Sequence, residues 1–158
     1  MKILNYVSLY SLSLLTGLIY ATNINAATAN FNVTATVLTS CSVTATDLVF
    51  GNYDATVNNN TNIISTTCTN GGTYTVDINS GSNASSTQRR MKLGATTNYL
   101  NYNLYSDTGR ASAWAVSTAQ TGTGLAQAMN VYGQIPAGQA LISGSYSDIA
   151  TVTITYNP

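Results

Sequence analysis

The chain has 158 residues, five Lys plus Arg and five Asp plus Glu, so its formal net charge is zero and only 6% of its residues are charged. That excludes a polyelectrolyte tail and a nucleic-acid partner, since holding a phosphate backbone takes several converging Lys or Arg side chains. Hydrophobic residues make up 44%, enough to fill a core, while the absence of His and Glu and the presence of two Cys remove the ordinary groups for acid-base catalysis and zinc binding. One compact domain is expected, with no enzymatic activity and no metal or cofactor.

The amino terminus reads as an export signal. Lys2 precedes the apolar stretch Ile3 to Ile19, interrupted by Ser8, Ser11, Ser13 and Thr16, and the small-residue end Ile24-Asn25-Ala26 follows. Residues 1–26 are therefore expected to be a signal peptide and not an anchor, which needs roughly 20 strongly apolar residues. Export to an oxidising compartment makes Cys41 and Cys68 a candidate disulfide; two buried free thiols are the other possibility.

Beyond the leader, short alternating segments separated by Gly, Asn, Ser and Thr predict an all-β sandwich. Ala29, Phe31, Val33, Ala35 and Val37 alternate with polar residues and form one apolar face at period two. Cys41, Val43 and Ala45 begin a second segment that continues from Leu48 to Tyr53. A third runs from Ile63 to Thr69, and the turn Asn70-Gly71-Gly72 leads into Thr73 to Asn79, so these two read as a hairpin. Further strands are expected over Tyr99 to Tyr105 and Met129 to Ile135, the latter ended by Pro136. The last strand alternates Ala150, Val152, Ile154 and Tyr156 with threonines.

Between them, Asn52 to Asn62, Ser80 to Gln88 and Thr118 to Gly124 are expected to be solvated loops. Arg89, Arg90 and Lys92 then flank a polar loop, either simply solvated or placed to meet a carboxylate, a sugar or an anionic surface. Asp47, Asp54, Asp77, Asp107 and Asp148 are scattered singly as turn and edge residues. Trp114, with Arg110 nearby, is either a core aromatic or a sugar-stacking platform.

The most regular amphipathic segment, Ala29 to Val37, precedes the first cysteine, and the chain closes on a second apolar strand. Two readings follow. The segment is either the domain's own first strand, or it leaves its domain and fills a groove in a neighbour by strand addition.

Cys41-Ser42-Val43, Phe50-Gly51-Asn52-Tyr53, Cys68-Thr69-Asn70-Gly71, Arg90-Met91, Leu100-Asn101-Tyr102-Asn103-Leu104-Tyr105, Val131-Tyr132-Gly133-Gln134-Ile135 and Gly144-Ser145-Tyr146-Ser147-Asp148 occur in this order. In these motifs the mature chain resembles the spore coat U domain family, which includes pilins of the archaic, Csu-like chaperone-usher pili. The resemblance implies an incomplete immunoglobulin-like β-sandwich, completed by a donor strand from a neighbouring subunit, and a disulfide between Cys41 and Cys68. It implies donor side chains Ala29, Phe31, Val33, Ala35 and Val37 in a segment 27–38, ahead of a pilin domain over 39–158. Val152, Ile154 and Tyr156 are the acceptor-groove candidates. The expected partners are identical or related pilin subunits joined head-to-tail, a periplasmic chaperone and an outer-membrane usher. The expected destination is an extracellular pilus, reached through the periplasm, that supports adhesion and biofilm formation. A secreted carbohydrate-binding sandwich using Trp114, and a spore or cyst coat protein, are the alternatives.

Overall fold

The computed structural model describes residues 24–117 and 119–158. Most of the expected signal peptide thus lies outside the described residues. By its internal contacts the chain divides into residues 1–35 and 36–158. In the first unit, described from Ile24, no helix or strand forms.

The second unit is all-β. Its strands are β1 (Cys41–Ala45), β2 (Asn58–Cys68), β3 (Thr73–Ile78), β4 (Arg89–Leu93), β5 (Tyr99–Tyr105), β6 (Gln120–Thr121), β7 (Ala126–Ile135), β8 (Tyr146–Ser147) and β9 (Val152–Tyr156). They form a large sheet in the order β1-β2-β7-β5-β4-β8 and a small one in the order β6-β3-β9, with every pairing antiparallel.

Strict alternation decides which side chains are buried, because successive residues of a strand point to opposite faces. On the large sheet Ile64, Thr66 and Cys68, Leu100, Tyr102 and Leu104, and Val131 and Ile135 turn inward; on the small sheet Tyr74, Val76 and Ile78 do. The buried Thr66 hydroxyl meets the Tyr74 hydroxyl at 2.8 Å, so these polar atoms satisfy each other. The order β1-β2-β7-β5 beside β3-β9 matches the A-B-E-D and C-F strands of an immunoglobulin-like sandwich. Among the described residues no strand lies on the outer edge of β9, where that fold would carry its G strand.

Five expectations are corrected. The expected strand over Leu48 to Tyr53 does not form, and the expected loop over Thr118 to Gly124 holds the short strand β6, paired with β3. The turn at Asn70-Gly71-Gly72 exists, with Gly71 at φ 80°, but β2 and β3 belong to different sheets and form no hairpin. Both segments bury an apolar face, and those faces look at each other across the core, so the turn is a corner between layers. Asn58 to Asn62 belongs to β2, paired along Ile135 to Val131 of β7, and not to a loop. Arg89, Arg90 and Lys92 lie within β4, because the inward position between the two outward cations is filled by Met91, which packs on the core.

Candidate functional site

A cleft of about 1050 Å³ opens between residues 45–53 and residues 141–150 and reaches the core. Its floor is formed by Ile64, Ile78, Leu100, Leu104, Val131 and Ile135, all buried core residues. Burying further apolar surface there is favourable, at roughly 25 cal/mol per Å².

The first wall is built in an unusual way. Thr46 N–H still bonds the Ile63 carbonyl at 3.0 Å, but beyond it residues 46–53 form no strand. Instead, Asn58, Asn60 and Asn62 occupy the inward positions of β2, in line with Ile64, and their side-chain amides hold the wall. The Asn62 amide donates to the Thr46 carbonyl at 2.9 Å, Asn60 to Val49, and Asn58 to Phe50 and Asn52 at 3.0 and 2.9 Å. These contacts explain why an asparagine run sits in a strand: each amide replaces a ladder bond that the diverging backbone no longer makes. Leu48 and Phe50 point from this wall onto the core, with the Phe50 and Tyr102 ring centroids 6.4 Å apart. The Tyr53 hydroxyl donates to the Pro136 carbonyl at 2.8 Å and ties down the wall's far end.

Asp148 anchors the second wall. One carboxylate oxygen accepts from the Tyr102 hydroxyl at 2.8 Å, and the other from the Asn83 backbone and side-chain nitrogens at 3.0 Å each. Asp148 is therefore more than the turn residue expected of it. Burial, followed by the nearby carboxylate, raises the Tyr102 phenol well above its ordinary value. Arg89 donates to the Ile78 and Asn79 carbonyls, and burial holds its guanidinium below its usual value. Asp54 and Asp107 do act as turn residues. Asp54 accepts from the hydroxyl and N–H of Thr56, and Asp107 from the N–H groups of Ser112 and Ala111; these bonds lower both carboxyls.

Of the acceptor candidates, Val152 lines the cleft. Ile154 packs on the core further along β9, and Tyr156 lies beside a smaller hollow with Tyr74. The residues that dominate the cleft, Leu48, Phe50 and the 141–150 segment, were not singled out from the sequence; the motifs around Phe50-Gly51-Asn52-Tyr53 and Gly144 to Asp148 were its only signal. Cys41 and Cys68 face each other in the β1–β2 register and are joined by a disulfide, Cα to Cα 4.1 Å. In the segment 27–38, Phe31, Val33 and Val37 are 85%, 82% and 82% exposed. Trp114 packs against the core with its indole nitrogen buried, which does not suit a sugar platform. Arg110 bonds the Gly133 carbonyl at 3.1 Å and lies over Tyr132.

Residues 27–153 match the family model of the Spore Coat Protein U domain. Protein U of Myxococcus xanthus is 38% identical over 153 residues, covering 82% of this chain and 85% of that protein. The fold is similar to a chain in the crystal structure of the CsuC–CsuE chaperone–tip adhesion subunit pre-assembly complex from archaic chaperone-usher Csu pili of Acinetobacter baumannii. The TM-score is 0.50 and the identity 23%, over 77% of this chain. This chain spans only 40% of the length of that one. With its sandwich, its disulfide and a family match running through nearly all described residues, the chain belongs to the Spore Coat Protein U domain family.

Proposed function

We propose that this chain is a secreted structural pilin that polymerises head-to-tail by donor-strand exchange, with residues 27–38 as the donor and 39–158 as the acceptor domain. The observation that supports this reading is the cleft with its apolar floor, beside the edge of β9 that no strand among the described residues pairs, open onto core residues. A strand entering there gains main-chain bonds along an unpaired edge and buries alternate side chains. Phe31, Val33 and Val37 supply that alternation, and placing the apolar face of Ala29 to Val37 in the cleft is worth on the order of 5–10 kcal/mol gross. Because one subunit donates at one site and accepts at another, the contact does not close on itself and yields a filament.

The free subunit exposes an open core, so a periplasmic chaperone covers it and an outer-membrane usher exchanges the chaperone for a neighbour's segment. The complex in which the Csu relative was solved supports this partner class. The product is an extracellular pilus serving adhesion and biofilm formation. A second reading, a spore-coat polymer built by the same exchange, is favoured by the relative named Protein U.

A synthetic peptide of residues 27–38 tests the mechanism. Added to subunit released from its chaperone, it should raise the melting temperature and block polymerisation. A subunit that polymerises at an unchanged rate in saturating peptide would overturn the reading.

A further inference from the structure

The registers that bury one face of the large sheet also lay out its outer face. Arg90 stands opposite Asn101, and Lys92 opposite Tyr99. Asn103 stands opposite Gln134, and Tyr105 opposite Tyr132. The outward positions thus form a grid of tyrosines and amides with two cations at one side and the Arg110 guanidinium over the Tyr132 ring at another. No Asp occupies an outward strand position on this sheet; Asp77 is on the small sheet, and Asp47, Asp54, Asp107 and Asp148 lie between strands. In a chain with so few charges, this segregation leaves Arg90 and Lys92 without an acidic neighbour on their face of the sheet.

Arg90 is held for binding. Its guanidinium carbon lies 4.0 Å from the Tyr99 ring centroid, and its Nε donates to the Asn83 carbonyl at 3.0 Å. The plane of the fork is therefore fixed twice, while its two terminal nitrogens have no acceptor among the described residues. Lys92, one step along the same face, approaches the same ring at 6.0 Å and likewise has no carboxylate partner among the described residues.

We propose that this face binds an acidic polysaccharide, with uronate carboxylates taken by the Arg90 fork and Lys92 and the sugar hydroxyls by Asn101 and Asn103. The surroundings select this ligand class. Amides both donate and accept, as hydroxyl-rich chains require, and the half-buried Tyr105 on the same face can offer apolar surface to the C–H face of a sugar ring. A lipid surface would need a flanking apolar patch, and a nucleic acid or polyphosphate needs more cations than stand here. The proposal is independent of strand exchange, because the cleft opens on the inner side of the sheet.

The test measures binding of a fluorescent oligogalacturonate to the purified chain, beside its fully methyl-esterified form and a polyphosphate of equal length. Binding of the acid form alone is expected, weakening as salt is raised. Arg90→Gln with Lys92→Gln should weaken it about tenfold or more. Lys92→Gln alone, at an outward, half-buried position, should weaken it severalfold even if the double variant folds poorly. Asn101→Ala with Asn103→Ala should weaken it too. Absence of oligogalacturonate binding at millimolar concentration, equal binding of polyphosphate, or wild-type affinity in Lys92→Gln would each overturn the proposal.

Discussion

Phe50 and Gly133 are shaped to each other: a Cβ built on Gly133 would stand 2.8 Å from the Phe50 ring tip and 2.5 Å from a Leu48 methyl. The glycine on β7 is the hollow into which the first wall of the cleft seats its two apolar side chains. Gly133→Ala should push both outward and cost about 1–3 kcal/mol, as overpacking does in a filled core. Urea denaturation with the cleft peptide bound measures this, and a change below a few tenths would show that the wall adapts freely.

Asn60 offers a cleaner perturbation of the same wall. Asn60→Asp keeps the shape but exchanges the amide that donates to Val49 for a carboxylate that repels its carbonyl. The expected cost is about 1–3 kcal/mol. More tellingly, hydrogen exchange should quicken over residues 46–53 while the centre of β7 stays protected. Uniform acceleration across the sandwich would mean that the amide holds the whole domain and not the wall.

Tyr102 makes stability fall at alkaline pH. Its folded phenol, raised by burial, keeps its proton where the unfolded phenol loses it, at about pH 10. Above that pH the folded state binds more protons, so stability is complete below about pH 10 and declines as pH rises toward the raised value, by up to about 1.4 kcal/mol per unit. Tyr102→Phe should flatten the decline between pH 10 and 11.5 in urea midpoints. The same slope in wild type and variant would assign it to other tyrosines.

Removing the disulfide with Cys41→Ser and Cys68→Ser frees a loop closed over a separation of 27 residues. The chain-entropy argument gives about 3.5 kcal/mol of lost stability. Chemical denaturation of the two forms checks this; a loss near zero would mean that the unfolded chain is already compact around this loop.

Phe31→Asp tests the donor. It should abolish polymerisation, since a carboxylate carried into the cleft costs several kcal/mol, yet leave the variant able to accept a wild-type peptide. Electron microscopy and peptide-induced stabilisation read the two halves separately. Fibres of normal length from Phe31→Asp subunits would remove this segment from the mechanism.

Much of the sandwich was legible because alternation alone fixes a strand whose two faces meet different solvents. Leu100, Tyr102 and Leu104 interleaved with Tyr99, Asn101 and Asn103 gave β5 to the residue. Partnership was not legible in the same way. The β2–turn–β3 sequence has every mark of a hairpin, yet whether two amphipathic strands pair side by side or stack face to face depends on the other strands available, here β7 and β9. Asn58, Asn60 and Asn62 misled for a different reason. Polar residues at inward positions signal a loop unless something inside accepts their hydrogen bonds, and the acceptors are carbonyls of residues 46–52, invisible until the chain has folded. The cleft was half legible: family motifs marked both walls, but the last strand supplied only Val152 to its lining.

Cys41 is the first residue of β1, an edge strand of five residues, and Cys68 is the last of β2, which is flanked on both sides. Under mechanical load an edge strand pulled from its end is stripped one rung at a time. Ahead of the disulfide lie hydrogen bonds of Leu38 and Ser40 to Thr69, and the bridge itself is the first rung of β1. Tension arriving along Leu38 to Ser40 therefore passes through sulfur into β2 and across to β7, and the hydrogen bonds of β1 never bear it. In the proposed filament, with subunits hanging from one another by residues 27–38, each sandwich would meet the pull with a covalent stop as soon as peeling reached β1.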